Sequence, residues 1–320
     1  MIRPHLIYFH ALFFFFLGAF AGCSEKASPR VTLSEAQEKF LKICRTKDHL
    51  DVHLLLADNA LWIYLPLNED FFKYTGQPGP RREAEKKEHL IPYLKGSLKK
   101  GEFSFRYDIV KADKLDKDPG YKSEMPESVL RKRLQLLAAL QEAFFELNEL
   151  PGDRDFASEA QDIQRDRMLE AHVKKEKVPE FFVILMADIN NGLAYKTVFL
   201  LEDYKRLQAG SLPYEEYSLR EINEFYGDSA FIGNNAGRDL NTAAIAWPWF
   251  LVEQVKNRIT FKFQKSDFPP TGETEETVMT AIAQTTGAYA FGDFTSVYLE
   301  DLRAGKKFKF SKEQLATFAQ

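Results

Sequence analysis

The chain has 320 residues, with 43 Lys and Arg against 47 Asp and Glu, for a net charge of −4. Interspersed charge with a slight acidic excess excludes the one-sided basic surface that nucleic-acid binding requires, and no nucleic-acid partner is expected. Hydrophobic residues make up 45% and cysteines number two, so the fold must rest on an apolar core and not on a disulfide framework. In chain order, the first element is an apolar run from Leu6 to Phe20 behind a short head carrying Arg3. Crossing a bilayer takes about 20 apolar residues. This run is shorter, holds His10 and stops at small residues, which is the pattern of a secretory signal peptide. No later stretch approaches membrane-spanning length.

The end of that run, Phe20-Ala21-Gly22-Cys23, resembles the lipobox of bacterial lipoproteins. The resemblance implies that residues 1–22 are a signal peptide removed before Cys23. Cys23 would then carry acyl chains, and residues 23–32 would form a lipidated N-terminus and tether. Each buried methylene of such chains adds about 0.8 kcal/mol of membrane affinity. Ser24, where an aspartate would favour inner-membrane retention, implies the periplasmic face of the outer membrane. Ala19-Phe20-Ala21 also satisfies the small-x-small rule for ordinary cleavage after Ala21. That route would leave Cys23 as a free thiol or a disulfide partner. With Cys23 lipidated, Cys44 has no internal partner, and its neighbours Phe40, Leu41 and Ile43 make it a small buried apolar residue.

Behind the tether, Ser34-Glu35-Ala36-Gln37 reads as a capping box opening a helix to about Thr46. "DVHLLLADNALWIYLPL" reads as two strands joined near Asp58-Asn59. "EFSFRYDIV" alternates, with Phe103, Phe105, Tyr107 and Ile109 on one face and solvent on the other. The loop "KADKLDKDPGYKSEMP" marks a boundary between an N-terminal part, 33–120, and a C-terminal part, 121–320, though the two can equally form one domain. A long helix then runs from Pro126 to Pro151-Gly152, with Leu130, Leu134, Leu137 and Phe144 as its apolar stripe. The charged stretch beginning at Asp153 reads as an exposed helix and linker. "PEFFVILMADINNGLAYKTVFLL" reads as a hairpin on a type I′ turn at Asn191-Gly192. A helix ("AWPWFLVEQVKN"), a strand ("RITFKFQ"), a helix from Glu275 to about Thr286, a strand ("FTSVYLE") and a short helix from Ser311 close the chain. The pattern predicts an α+β fold of largely antiparallel sheets with hairpins, covered by amphipathic helices. Leu201-Glu202-Asp203 leading to Gly210 echoes Leu299-Glu300-Asp301 leading to Gly305, both read as acidic helix starts.

Several segments carry candidate chemistry. His49, Asp51 and His53 fall on one side of an extended segment and are the metal candidates, although three ligands in a line rarely converge on one ion. Asp188, Asn190 and Gly192 resemble part of a calcium loop, but the terminal glutamate position is Phe199. Gly227-Asp228-Ser229, with Gly233-Asn234-Asn235, resembles the nucleophile block of SGNH hydrolases, yet no histidine follows His172. The acid pairs Glu202-Asp203 and Glu300-Asp301 suit helix first turns better than catalysis. Trp62, Trp247 and Trp249 could line an aromatic pocket and fit a core as well.

There is no Walker A sequence, strand-linked GxGxxG or CxxC, so no cofactor is expected. The reading that follows is an envelope lipoprotein facing the periplasm. It touches the membrane through Cys23 and binds another envelope macromolecule, a protein partner above all, without catalysis. The alternatives are an envelope hydrolase using His49, Asp51 and His53 or Ser229, and a small-ligand binder.

Overall fold

The computed structural model describes residues 32–72, 89–111, 125–145, 178–233, 242–264 and 273–318. Cys23, His172, Asn234, Asn235 and the charged stretch from Asp153 to Lys177 lie outside the described residues. In chain order the elements are α1 (Leu33–Thr46), β1 (His53–Ala57), β2 (Ala60–Leu67), β3 (His89–Lys99), β4 (Glu102–Lys111), α2 (Glu127–Phe144), β5 (Phe181–Asp188), β6 (Leu193–Leu200), α3 (Leu201–Gln208), α4 (Tyr214–Arg220), β7 (Ile222–Gly227), α5 (Trp247–Gln264), α6 (Thr274–Ala288), β8 (Ser296–Asp301), β9 (Lys306–Ser311) and α7 (Lys312–Ala316). They form the α+β fold expected, with two mostly antiparallel sheets ordered β1-β2-β5-β6-β7 and β3-β4-β8-β9. Each sheet joins two hairpins through one parallel pair, β2 with β5 and β4 with β8. Both sheets therefore take strands from either side of residue 120.

The two sheets are built to one plan, and hydrogen bonds show the correspondence atom by atom. Glu180 and Phe181 N–H both donate to Asn59 C=O, as Thr295 and Ser296 N–H do to Gly101 C=O. At the other end Ile189 N–H donates to Leu67 C=O, and Leu302 N–H to Tyr107 C=O. The hairpin turns match as well. Asp188 Oδ1 accepts from Asn190 and Asn191 N–H, and Asp301 Oδ1 from Arg303 and Ala304 N–H. Gly192 at φ +66° and Gly305 at φ +64° finish the two turns. In the second sheet β8 is two residues shorter than β5. An even difference preserves which side chains face the core.

This correspondence replaces the echo expected from sequence. Leu201 to Asp203 open a helix, α3, whereas Leu299 to Asp301 end a strand, β8. The true counterpart of Asp301 is Asp188.

The central strands of the first sheet, β2 and β5, are buried on both faces. Leu61, Ile63, Phe182, Ile184 and Phe199 pack with Phe40 of α1 and with Leu136, Leu140 and Phe144 of α2. On the opposite face Trp62, Phe181, Val183 and Val198 meet Phe231, Ile245 and Phe250. Double coverage explains why β5 reads as an unbroken apolar run and is buried throughout. The second sheet packs Phe103, Phe105, Val297 and Leu299 against α5, α6 and α7. Its other face carries Arg106, Lys307 and Lys309 toward solvent, as the alternation in β4 predicts. Phe250 and Val255 of α5 lie in the clusters of different sheets, so this helix bridges the two.

Several local expectations need correction. The capping box at α1 is Thr32 with Glu35, two residues earlier than read, because Thr32 supplies the side-chain oxygen for Glu35 N–H. The β5–β6 connection spans Ile189 to Gly192 and is not a two-residue turn; only Gly192 takes positive φ, while Asn191 is held by Asp188. "RITFKFQ" is no strand but the second half of α5. Its Val255, Ile259 and Phe263 recur at helical spacing along one buried stripe, which outweighs the β propensity of those residues. In α2, Leu137 and Phe144 are buried as expected, but Leu130 and Leu134 are 45% and 63% exposed. Val129, Leu136 and Leu140 take the core positions instead. The strands β3, β7 and β9 are not among the elements expected from the sequence.

Candidate functional site

The best-built polar cluster lies where α3, α4 and α5 meet. Asp203 sits in the first turn of α3, 3% exposed, and accepts from Arg220 Nη1 at 2.8 Å and from Tyr289 OH at 2.8 Å. Arg220 Nε donates to Glu216 Oε1 at 2.8 Å, one helical turn earlier on α4. Arg258 of α5 grips the same carboxylate twice, through Nη1 at 3.0 Å and Nη2 at 2.5 Å. Gln254 Nε2 donates to Arg220 C=O and to Tyr289 OH. One residue on, Glu221 accepts from Arg133 of α2 at 2.5 Å. The chain therefore places a helix pair, a sheet edge and the bridging helix on one ionic junction.

Two carboxylates face two guanidinium groups: Asp203, Arg220 and Arg258 are buried, while Glu216 keeps a partly exposed side chain. Burial alone would raise the Glu216 carboxyl, but hydrogen bonds from Arg258 and Arg220 outweigh it and hold the group below the usual carboxylate range. Burial, reinforced by Asp203, pushes the Tyr289 phenol up, and burial with Glu221 does the same to Tyr217. A general acid or base works best with a pKa near the working pH. Here Glu216, Tyr289 and Tyr217 each move away from neutrality, so these three keep fixed charge states. The junction's chemistry is that of a clamp. A depression of about 410 Å³ beside it is lined by Glu216, Arg220, Arg258, Lys262 and Gln284, and the first three are committed to the junction.

The structure separates most of the candidates read from sequence. His49 takes a left-handed turn at φ +54°, and the strand begins only at His53, so the extended segment that would align His49, Asp51 and His53 does not exist. No group of three potential metal-ligating residues occurs among the described residues. Asp188 is fully buried and accepts from four donors, Phe71 N, Asn190 N, Asn191 N and Asn191 Nδ2, which makes it a turn strut with its oxygens occupied. Asp228 caps a 3₁₀ turn whose first residue is the exposed Ser229.

Of the acid pairs, Glu202 and Asp203 do open a helix, but Asp203 is spent on Arg220. Glu300 lies on β8 and pairs with Arg106, while Asp301 builds the β8–β9 turn, so the helix-start reading of that pair is wrong. Trp62 is buried in the core of the first sheet, and Trp247 and Trp249 are partly buried against the same cluster. The indole N–H of Trp62 donates to Ala243 C=O and that of Trp247 to Glu180. Burial pushes the Cys44 thiol up to about 12, keeping it neutral and unreactive.

The junction residues come from four stretches of chain: Arg133, the Asp203–Glu216–Arg220 stretch, Arg258 and Tyr289. Only the Glu216–Arg220 spacing hinted at it in the sequence. Compared with protein-family models, with curated proteins and with solved structures, the chain matches none.

Proposed function

We propose that the chain is an envelope lipoprotein, anchored through acyl chains on Cys23 at the periplasmic face of the outer membrane. Its folded body binds another envelope polypeptide without turning over a substrate. The observation that carries the reading is Phe20-Ala21-Gly22-Cys23, placed at the end of the Leu6–Phe20 run and followed by the polar "SEKASPR". No helix among the described residues is long and apolar enough to cross a membrane. One structural feature supports the binding half of the reading. The charged groups of the buried junction are paired with one another, so the polar interior serves cohesion.

Intact-mass spectrometry of chain extracted from cell envelopes tests the anchor. The expected product starts at Cys23 and carries acyl mass, and Cys23→Ser leaves the precursor uncleaved with its folded body intact. A product starting at Gly22 without lipid overturns the anchor. Crosslinking in native envelopes tests the second half of the reading, the expected result being a discrete adduct with another envelope protein.

A further inference from the structure

We infer that the outer edge of β9 accepts an extended acidic and aromatic segment of another polypeptide, added antiparallel as β7 is added to β6. This deepens the binding reading above and rests on it.

The two sheets share one plan up to a point. In the first, β6 is followed outward by β7; in the second, β9, the counterpart of β6, is the last strand among the described residues. Matching Asp188 to Asp301 aligns Leu193 with Lys306, Tyr195 with Phe308 and Lys196 with Lys309. On the occupied edge, Glu224 of β7 lies opposite Lys196 and pairs with it at 2.5 Å. Phe225 lies opposite Tyr195 with stacked rings 4.5 Å apart. On this edge, Lys309 and Phe308 occupy the same two stations; Lys309 reaches across the sheet to Glu102 at 3.0 Å and its side chain stays 67% exposed. A segment added in the same register brings an acid to Lys309 and an aromatic ring to Phe308.

The backbone is ready for it. Leu302 N–H turns toward β4, so Asp301, one residue earlier, directs its own N–H and C=O to Lys306 of β9. Alternation along an antiparallel strand then sends the N–H and C=O of Lys307 and Lys309 outward. Strand addition uses those main-chain groups for affinity and alternate side chains for selectivity. A second copy of this chain is a poor occupant. Edge-to-edge pairing would set the exposed Lys306, Lys307 and Lys309 against their own kind, the usual device against self-pairing. The same lysines favour an acidic strand.

The probe is a synthetic peptide copying Glu221 to Asp228, EINEFYGD, added in excess to the full chain and followed by hydrogen exchange. The expected result is about tenfold slower exchange across Lys306–Ser311. Lys309→Glu should abolish that protection, and a peptide carrying Glu224→Lys should restore it on the variant. Circular dichroism checks that the variant is folded. No protection of β9, protection of β6 instead, or protection indifferent to the charge swap overturns the inference. Crosslinking in envelopes separates its failure from that of the binding reading. A partner captured equally by the native chain and by Lys309→Glu sinks the edge assignment and leaves the binding reading standing. Peptide protection of β9 with no partner captured by either chain does the reverse.

Discussion

Asp188 and Asp301 do the same work in different surroundings, and the difference is measurable. Both accept two turn N–H groups on one oxygen, but Asp188 is fully buried and also holds Phe71 N–H and the Asn191 side chain. Removing a buried charged acceptor strands its donors, at about 1.5–3 kcal/mol for a hydrogen bond to a charged group. Asp188→Ala should therefore destabilise by about 3 kcal/mol, and Asp301→Ala, where water can replace the carboxylate, by about 1 kcal/mol. Urea denaturation of both variants checks this, and equal losses would mean that burial does not set the difference. Gly96 offers a second test. A Cβ there would lie 2.4 Å from the Phe105 ring and 2.7 Å from Val252 Cγ1, both buried in the core of the second sheet. Gly96→Ala should cost about 1–3 kcal/mol through overpacking, visible as a lowered unfolding midpoint at unchanged m-value. The glycine is what lets β3 lie close against α5.

Elements were legible where their own residues repeat clearly. The β1–β2 hairpin, β4, α6 and the Ser311 cap of α7 follow from alternation, apolar spacing and capping residues, and each stands where the sequence placed it. The second half of α5 misleads because Ile259, Thr260, Phe261 and Phe263 are strand formers by propensity. What overrides propensity is the stripe of Val255, Ile259 and Phe263 and the grip of Arg258 on Glu216, which only a helix can present together. Thr260→Pro distinguishes the two descriptions. In a helix interior it removes a hydrogen bond and clashes with the preceding turn, costing about 3 kcal/mol or more with loss of far-UV helical signal. A variant of native helicity and stability would refute the continuous helix.

At the scale of the whole molecule the ionic junction ties the first sheet's outer helices to the helix that bridges both sheets, and this gives the fold a pH dependence. Glu216 is held below its ordinary range, so the unfolded chain binds its proton more readily than the folded one. Its contribution is fully present above the unfolded value, about pH 4.3, and is lost as pH falls through the lower folded value. Thermal unfolding should show stability dropping below about pH 5, with a shallower drop in Glu216→Gln, which starts less stable at neutral pH. Parallel curves for the two proteins would remove Glu216 as the cause.

The sequence by itself determined the α+β class, the β1–β2 and β5–β6 hairpins, the Ser311 cap and the Cys23 expectation, because each depends on residues close together in the chain. The pairing of β2 with β5 and of β4 with β8, the shared plan of the two sheets and the ionic junction were decided only by tertiary structure. Parallel pairing joins strands more than a hundred residues apart, and no local period encodes which apolar run will be its neighbour. A charge such as Asp203 or Arg258 reads in sequence as one more solvated side chain. It becomes part of a clamp only when packing removes the water and brings its partner from another element to within hydrogen-bonding distance.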